Sequence, residues 1–297
     1  MALAAPSRLR RRTPLRFRRV VPGGRFFDVM GDRPFGGRLR AVRRLIAAAA
    51  WTLLCMPVQA VLLLLPGRGK IAFARIFWRV ICLVIGMRVR VVGERSALPR
   101  TLYLANHCSW LDIAVLGGAI EAAFVSKAEI GQWPLIGLVA RLGRTVFVSR
   151  ARRRTGDEAR EMRERLAAGD SLILFPEGTS SDGTRVLPFR SSFLAVAEKA
   201  EVIRPVSVVY DRLGGLPACR RDRPLFAWYG NMSIAPHVWR LVRHAGLRAT
   251  VVLHDPLPPD AIPNRKALAA ATEAVVAEGA ATLRQNREPR PLPVVTT

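Results

Sequence analysis

The sequence predicts an α/β domain, with a mainly parallel sheet flanked by helices, entered through an N-terminal membrane-associated helical hairpin. Two observations carry this reading. From about residue 88, short β-branched runs recur with helical stretches between several of them, the pattern of a layered α/β domain. Ahead of them, residues 45–65 read LIAAAAWTLLCMPVQAVLLLL, an almost wholly apolar stretch. With 297 residues, the chain is long enough to bury the core such a domain needs.

Taken in order, the first element is a basic arm. Residues 1–44 hold 13 arginines, no lysine and only Asp28 and Asp32, a net charge of +11. Mixed with Pro and Gly, they read as a disordered arm, either a solvated tail or a binding arm. The whole chain carries a formal net charge of +25, yet half of it is hydrophobic and its mean hydropathy is +0.17. That combination is unusual for a freely soluble enzyme and points to polyanions, either nucleic acid or an anionic membrane surface.

Residues 45–65, as a helix, would be about 30 Å long, enough to cross a bilayer. Pro57 and Gln59 weaken a straight span. After the turn Pro66-Gly67-Arg68-Gly69-Lys70, residues 71–87 place Arg75 and Arg79 four apart on one helical face, as in an interfacial helix. Basic residues flank the first helix on both sides and give no crossing direction. The expectation is a hairpin over 45–87 that dips into one leaflet. The alternatives are a transmembrane pair and a buried core hairpin.

The α/β domain is expected over 88–297. Its strand candidates are 89–92, 102–104, 123–125, 145–148, 172–175, 206–209 and 250–253, with helices at 109–118, 155–168 and 191–200. Residues 264–286, opened by Pro263-Asn264, read as a closing helix. The four cysteines show no metal-ligand or disulfide spacing, so neither a zinc site nor a disulfide framework is expected, and a reducing cytoplasmic setting fits.

Sheets of this kind place functional groups on loops at the carboxyl ends of strands. The strand at 102–104 ends in Ala105-Asn106-His107-Cys108-Ser109-Trp110-Leu111-Asp112. On a turn leading into a helix, the five-residue offset lets Asp112 reach one imidazole nitrogen of His107 and leaves the other free to take a proton. By itself the pair is a weak signal, and a helix-capping or core histidine is the plainer alternative. Three further stretches strengthen it. The strand at 145–148 delivers Arg150 just beyond its end. The strand at 172–175 leads into Pro176-Glu177-Gly178-Thr179-Ser180, with a carboxylate, backbone amides and hydroxyls. Ile203-Arg204-Pro205-Val206 opens another strand, where proline is tolerated at the start.

These four stretches, in this order, resemble the blocks of the glycerolipid acyltransferase family, lysophosphatidate acyltransferase and its relatives. The resemblance covers about residues 90–210, and the hydrophobic entry helices match as well. It implies that His107 deprotonates the hydroxyl of a lysolipid, which attacks the thioester of an acyl-CoA or acyl carrier protein. Asp112 would orient His107, while Arg150, Glu177, Gly178, Thr179 and Ser180 would bind the acceptor. It implies no covalent acyl-enzyme, so Cys108 and Ser109 need not be nucleophiles, and no metal or bound cofactor. Membrane lipids are the implied partners, with the site facing the cytoplasm at a bacterial inner membrane. The first acceptor expected is 1-acyl-sn-glycerol-3-phosphate, giving phosphatidic acid; the alternative is a lyso-ornithine lipid.

One departure bears on that choice. Much of the family carries an arginine after the Gly-Thr of the third block, and here Ser180 stands there, with Arg185 and Arg190 nearby. The stretch FPEGTSSDGTRVLPF, followed downstream by Phe226-Ala227-Trp228-Tyr229-Gly230-Asn231-Met232, is similar to the branch that contains bacterial lyso-ornithine lipid acyltransferases. That aromatic stretch reads either as a strand ending in a turn or as a wall for an acyl chain. Two other classes compete: a nucleic-acid-binding protein, which would interleave aromatic with basic residues on a strand face, and a non-catalytic membrane scaffold. The arm offers only Phe17, Phe26, Phe27 and Phe35 before a membrane-seeking helix, so no nucleic acid is expected as a partner, and His107, Asp112 and Glu177 argue against a scaffold.

Overall fold

The computed structural model describes residues 37–94, 100–148, 155–262 and 264–295. The hairpin is formed by α1 (Arg38–Leu64) and α2 (Gly69–Ile85). Then follow β1 (Met87–Val92), β2 (Thr101–Ala105), α3 (Leu111–Ala119), β3 (Ala123–Lys127), α4 (Pro134–Leu142), β4 (Val146–Val148), α5 (Thr155–Ala167) and β5 (Leu172–Leu174). The chain continues through β6 (Val202–Leu213), β7 (Leu216–Pro217), α6 (Arg223–Phe226), α7 (Ile234–Val242), β8 (Leu247–Leu253) and α8 (Arg265–Arg284).

The described strands form one sheet in the order β1-β8-β6-β2-β5-β3-β4, with β7 added to β6. The neighbours of β2, β3 and β5 are parallel, as are β1 and β8; β6 runs antiparallel to β8 and β7. Alternation along β6 separates the two faces of the sheet. Ser207 and Val209 face α8, where the Ser207 hydroxyl donates to the Val276 carbonyl (2.8 Å). Tyr210 points to the other face, where α3 lies.

Pro205 lies four residues into β6 rather than at its start. Strand β6 pairs with β8 only from Val206 onward, so the missing N–H of Pro205 leaves no rung unmade there. Its carbonyl still accepts from the His254 amide (3.1 Å). Residues 191–199, expected as an α-helix, wind as a 3-10 helix instead. Helix α4, which the sequence reading did not single out, opens with Pro134 in its first turn, a position where the absent N–H costs nothing.

Helix α1 runs unbroken through Pro57, and among the described helices it is the one long and apolar enough to cross a membrane. It leaves Ile46, Leu53, Leu54, Val58, Val61 and Leu64 exposed. Gln59 is the polar exception in that run, and it is buried. Its amide donates to the carbonyls of Lys70 (3.1 Å) and Leu142 (2.9 Å), tying α1 to the start of α2 and the end of α4. The basic arm expected over residues 1–44 ends sooner than that, because Arg38 to Arg44 form the first turns of α1. Their guanidiniums explain the ordering: Arg40 donates to the Arg243 carbonyl and Arg44 to those of Val242 and His244, at the C-terminal end of α7. The rest of the arm lies outside the described residues.

Helix α2 meets α3 across Gly117 and Gly118. A Cβ on Gly117 would stand 2.5 Å from the Trp78 ring, and one on Gly118 would stand 3.1 Å from the Arg79 backbone. Only glycine permits so close an approach, which seats the apolar hairpin directly on the helix that carries Asp112. Arg75 and Arg68 both pair with Glu121 just after α3 (2.9 Å each), so these two arginines anchor the hairpin to the domain.

Candidate active site

His107 is delivered by the end of β2, two residues past Ala105, and Asp112 by the first turn of α3. The Asp112 carboxylate is fully buried, and all its bonds are made by the protein. Its Oδ2 accepts from His107 Nδ1 (2.8 Å), the Cys108 amide (2.8 Å) and the Ser109 amide (2.9 Å). Its Oδ1 accepts from the Tyr210 hydroxyl at 2.5 Å. Four donors on a buried carboxylate satisfy a charge that would otherwise be costly to desolvate. They also dictate the histidine tautomer. The aspartate oxygen accepts a hydrogen bond from Nδ1–H, so Nδ1 keeps the proton and Nε2 carries the lone pair.

Tyr210 had no signal in the sequence that linked it to this site, since it lies 98 residues from Asp112. Burial, and then the Asp112 charge, push its phenol well above the ordinary 10, so it stays protonated and donates. The Phe175 ring stacks on His107 with centroids 4.2 Å apart and planes at 23°, which holds the imidazole flat while leaving its edge open. The His107 side chain is one-fifth exposed. Substrate therefore has access to it, while its aspartate is sealed from water.

The third block is turned differently from expectation. Phe175, Pro176, Glu177 and Gly178 form a turn closed by the Gly178 amide on the Phe175 carbonyl (3.0 Å). Gly178 sits at φ +68°, and a Cβ there would come within 3.0 Å of the Phe193 ring. Glu177 points inward and is buried; its Oε1 accepts from the His107 amide (2.7 Å) and its Oε2 from the Leu187 amide (3.0 Å). Burial pushes its carboxyl up to about 8, against the pull of those two amides. Both oxygens are thus used by the protein, so the acceptor contact expected of Glu177 becomes a brace on the base. Thr179 is exposed and Ser180 half-buried beside it. Arg150 lies outside the described residues.

Main-chain bonds complete the frame. The Ser181 amide donates to the His107 carbonyl (2.9 Å), and the Trp228 amide to that of Cys108 (2.8 Å). The segment 226–232 is not the strand that one reading expected. Phe226 ends α6, and Trp228 then clamps the catalytic loop while its indole donates to the Met232 carbonyl (2.8 Å). Below it, the Trp110 indole donates to His237 Nδ1 (3.0 Å), whose Nε2 donates to Ala227 (3.0 Å). Cys108 is buried, and burial followed by the charges of Asp112 and Glu177 raises its thiol well above 9. It is a poor nucleophile there.

A histidine oriented by a buried aspartate, at the carboxyl end of a parallel strand, defines an α/β enzyme with a general base, beside which the Cys108 thiol is not activated. Residues 88–210 match the family described as Acyltransferase. A lyso-ornithine lipid O-acyltransferase of Brucella abortus is 37% identical over 246 residues, 80% of this chain and 92% of that protein. A 1-acyl-sn-glycerol-3-phosphate acyltransferase of Neisseria gonorrhoeae is 33% identical, over 48% of this chain and 54% of that one. The crystal structure of the 1-acyl-sn-glycerophosphate acyltransferase PlsC from Thermotoga maritima superposes with a TM-score of 0.63 at 23% identity, covering 85% of this chain and 97% of that one, and shares the fold. The chain belongs to the acyltransferase family, and at that level it is a lysolipid acyltransferase associated with membranes.

Proposed function

We propose that the chain transfers a fatty acyl group from an acyl-CoA or acyl carrier protein to the free hydroxyl of a lyso-ornithine lipid, at the cytoplasmic face of a bacterial inner membrane. The observation that carries the chemistry is the His107 ring, bound through Nδ1 to Asp112 while its side chain stays one-fifth exposed. Nε2 takes the hydroxyl proton as the acceptor oxygen attacks the thioester carbonyl. The tetrahedral adduct collapses, the C–S bond breaks, and the leaving thiolate recovers the proton from the imidazolium. Asp112 stabilises that cation while it exists.

The headgroup rests on two supports. The Brucella abortus relative bears that activity in its name and is matched along 92% of its length, and Ser180 stands where much of the family carries an arginine. Lysophosphatidate, the acceptor first expected from the resemblance, is the second reading, supported by the Neisseria gonorrhoeae relative over a shorter span. Purified protein given both acceptors in parallel, with each donor, tests the choice. Faster acylation of lyso-ornithine lipid is expected, with loss of activity in His107→Ala. Transfer to lysophosphatidate alone refutes the headgroup, and equal rates in His107→Ala refute the base. The protein is also expected in the membrane fraction after mild lysis; full recovery in the soluble fraction contradicts the hairpin's role.

A further inference from the structure

The third block lacks its arginine, yet three guanidiniums from elsewhere in the chain converge beside it. Arg185 follows the β5 loop, Arg223 opens α6 and Arg284 closes α8. All three line one cleft, together with Cys108, Ser181 and Gly183 from the side of the base. Cys108 directly follows His107, and the Ser181 amide holds the His107 carbonyl. The cleft therefore begins one residue away from the reacting nitrogen's own backbone.

The three guanidiniums in this cleft make no close ion pair: among the described residues, no carboxylate lies within ion-pair distance of any of the three side chains. Asp182 acts on all three at longer range, but its Oδ1 is taken by the amide and hydroxyl of Thr184. Asp211 also lines the cleft and is held by Arg248 and Thr250. Arg284 is partly desolvated as well as repelled by Arg223. Arginine keeps its charge under such conditions, and its planar fork matches a carboxylate or phosphate. Collected cations with no carboxylate at ion-pair distance among the described residues, next to a general base, are the arrangement an anionic substrate group completes.

We propose that this cleft holds the acid group of the acceptor headgroup, with Arg284 and Arg223 as its principal contacts. The proposal rests on the reading given above, in which that group is the ornithine carboxylate. The charge that Ser180 does not supply in the third block comes instead from α6 and α8, beyond the stretch that matches the family.

The test is steady-state kinetics on the full-length protein in mixed micelles, varying acceptor and donor separately. In Arg284→Gln and in Arg223→Gln, KM for lyso-ornithine lipid is expected to rise about ten- to a hundredfold, the range for one lost charge-assisted hydrogen bond. Donor KM stays unchanged, and kcat falls by no more than a few fold. Arg220→Ala, on an exposed residue outside the cleft, leaves both constants unchanged. The methyl ester of the lyso-ornithine lipid should raise KM for the unaltered protein by a similar factor, with little further effect in the variants. An unchanged acceptor KM in both variants overturns the proposal. So does a rise confined to the donor, which would assign the cleft to the donor's phosphates. If the unaltered protein acylates only lysophosphatidate, the headgroup reading fails separately. The same variants are then measured with that phosphate, and a rise in its KM upholds the cleft while no rise sinks it.

Discussion

Asp112→Asn offers a sharp test of how the base is held. Three donors converge on Oδ2: His107 Nδ1, the Cys108 amide and the Ser109 amide. An asparagine NH2 placed there would oppose two immovable backbone N–H groups. The amide oxygen therefore occupies the Oδ2 position, and the NH2 faces Tyr210, whose hydroxyl turns to accept. The His107 tautomer is retained, and what is lost is the charge opposite the imidazolium. Two unit charges about 4 Å apart at an effective dielectric constant near 20 attract by about 4 kcal/mol, an upper bound for this term. With about 1.4 kcal/mol per tenfold in rate, kcat is expected to fall roughly a hundred- to a thousandfold. Acyl-transfer kinetics give the loss, and 15N NMR of the imidazole gives the tautomer. A proton found on Nε2 in the variant would refute the claim that the two backbone amides dictate the orientation.

Tyr210→Phe deletes one donor to the buried Asp112 without changing the packing shape, and it should cost about 1.5–3 kcal/mol of stability. Thermal unfolding in detergent should show a midpoint lower by several degrees; an unchanged midpoint would mean the 2.5 Å bond contributes little. Stability should also fall on acidification. His237, His244 and His254 are lowered to about 4, each chiefly by burial, so between pH 6.5 and 4 the unfolded chain binds protons that the folded one refuses. Their contribution is complete above 6.5 and lost as pH falls toward 4. Glu177 works the other way: raised to about 8, it holds a proton that the unfolded chain releases above about 4.5, so its effect declines as pH rises to 8. Three histidines against one carboxyl leave about two protons, a slope of roughly 2.7 kcal/mol per pH unit at its steepest, with greatest stability near pH 6.5. Unfolding midpoints that hold steady from pH 6.5 to 5 would contradict this.

What could be read from the chain was what depends on neighbours in sequence. The strand before His107 announces itself by the short apolar run Leu102-Tyr103-Leu104, and Asp112 lies within one loop and one helical turn of it. The closing helix was marked by Asn264, whose Oδ1 accepts from the Lys266 amide (2.8 Å). Tyr210 was illegible because only the pairing of β6 beside β2 brings it to Asp112. The direction of Glu177 was illegible for a related reason: a turn acid looks the same whether it faces solvent or braces a loop 70 residues away. Nothing in the sequence singled out Arg223 or Arg284, and only the folded chain gathers them into one cleft with Arg185.

The loop bearing the base is gripped by its peptide groups. Glu177 takes the His107 N–H, Ser181 the His107 carbonyl and Trp228 the Cys108 carbonyl. A framework of this type tolerates exchange of the side chains around it, because most of those anchor points are main-chain atoms that every residue possesses. Reactivity and selectivity are thereby assigned to different parts of the chain and can drift apart over generations. If residues 180, 185, 223 and 284 hold the headgroup as proposed, exchanging them leaves the reacting nitrogen where it is. A scaffold divided in this way needs few substitutions to accept a new headgroup.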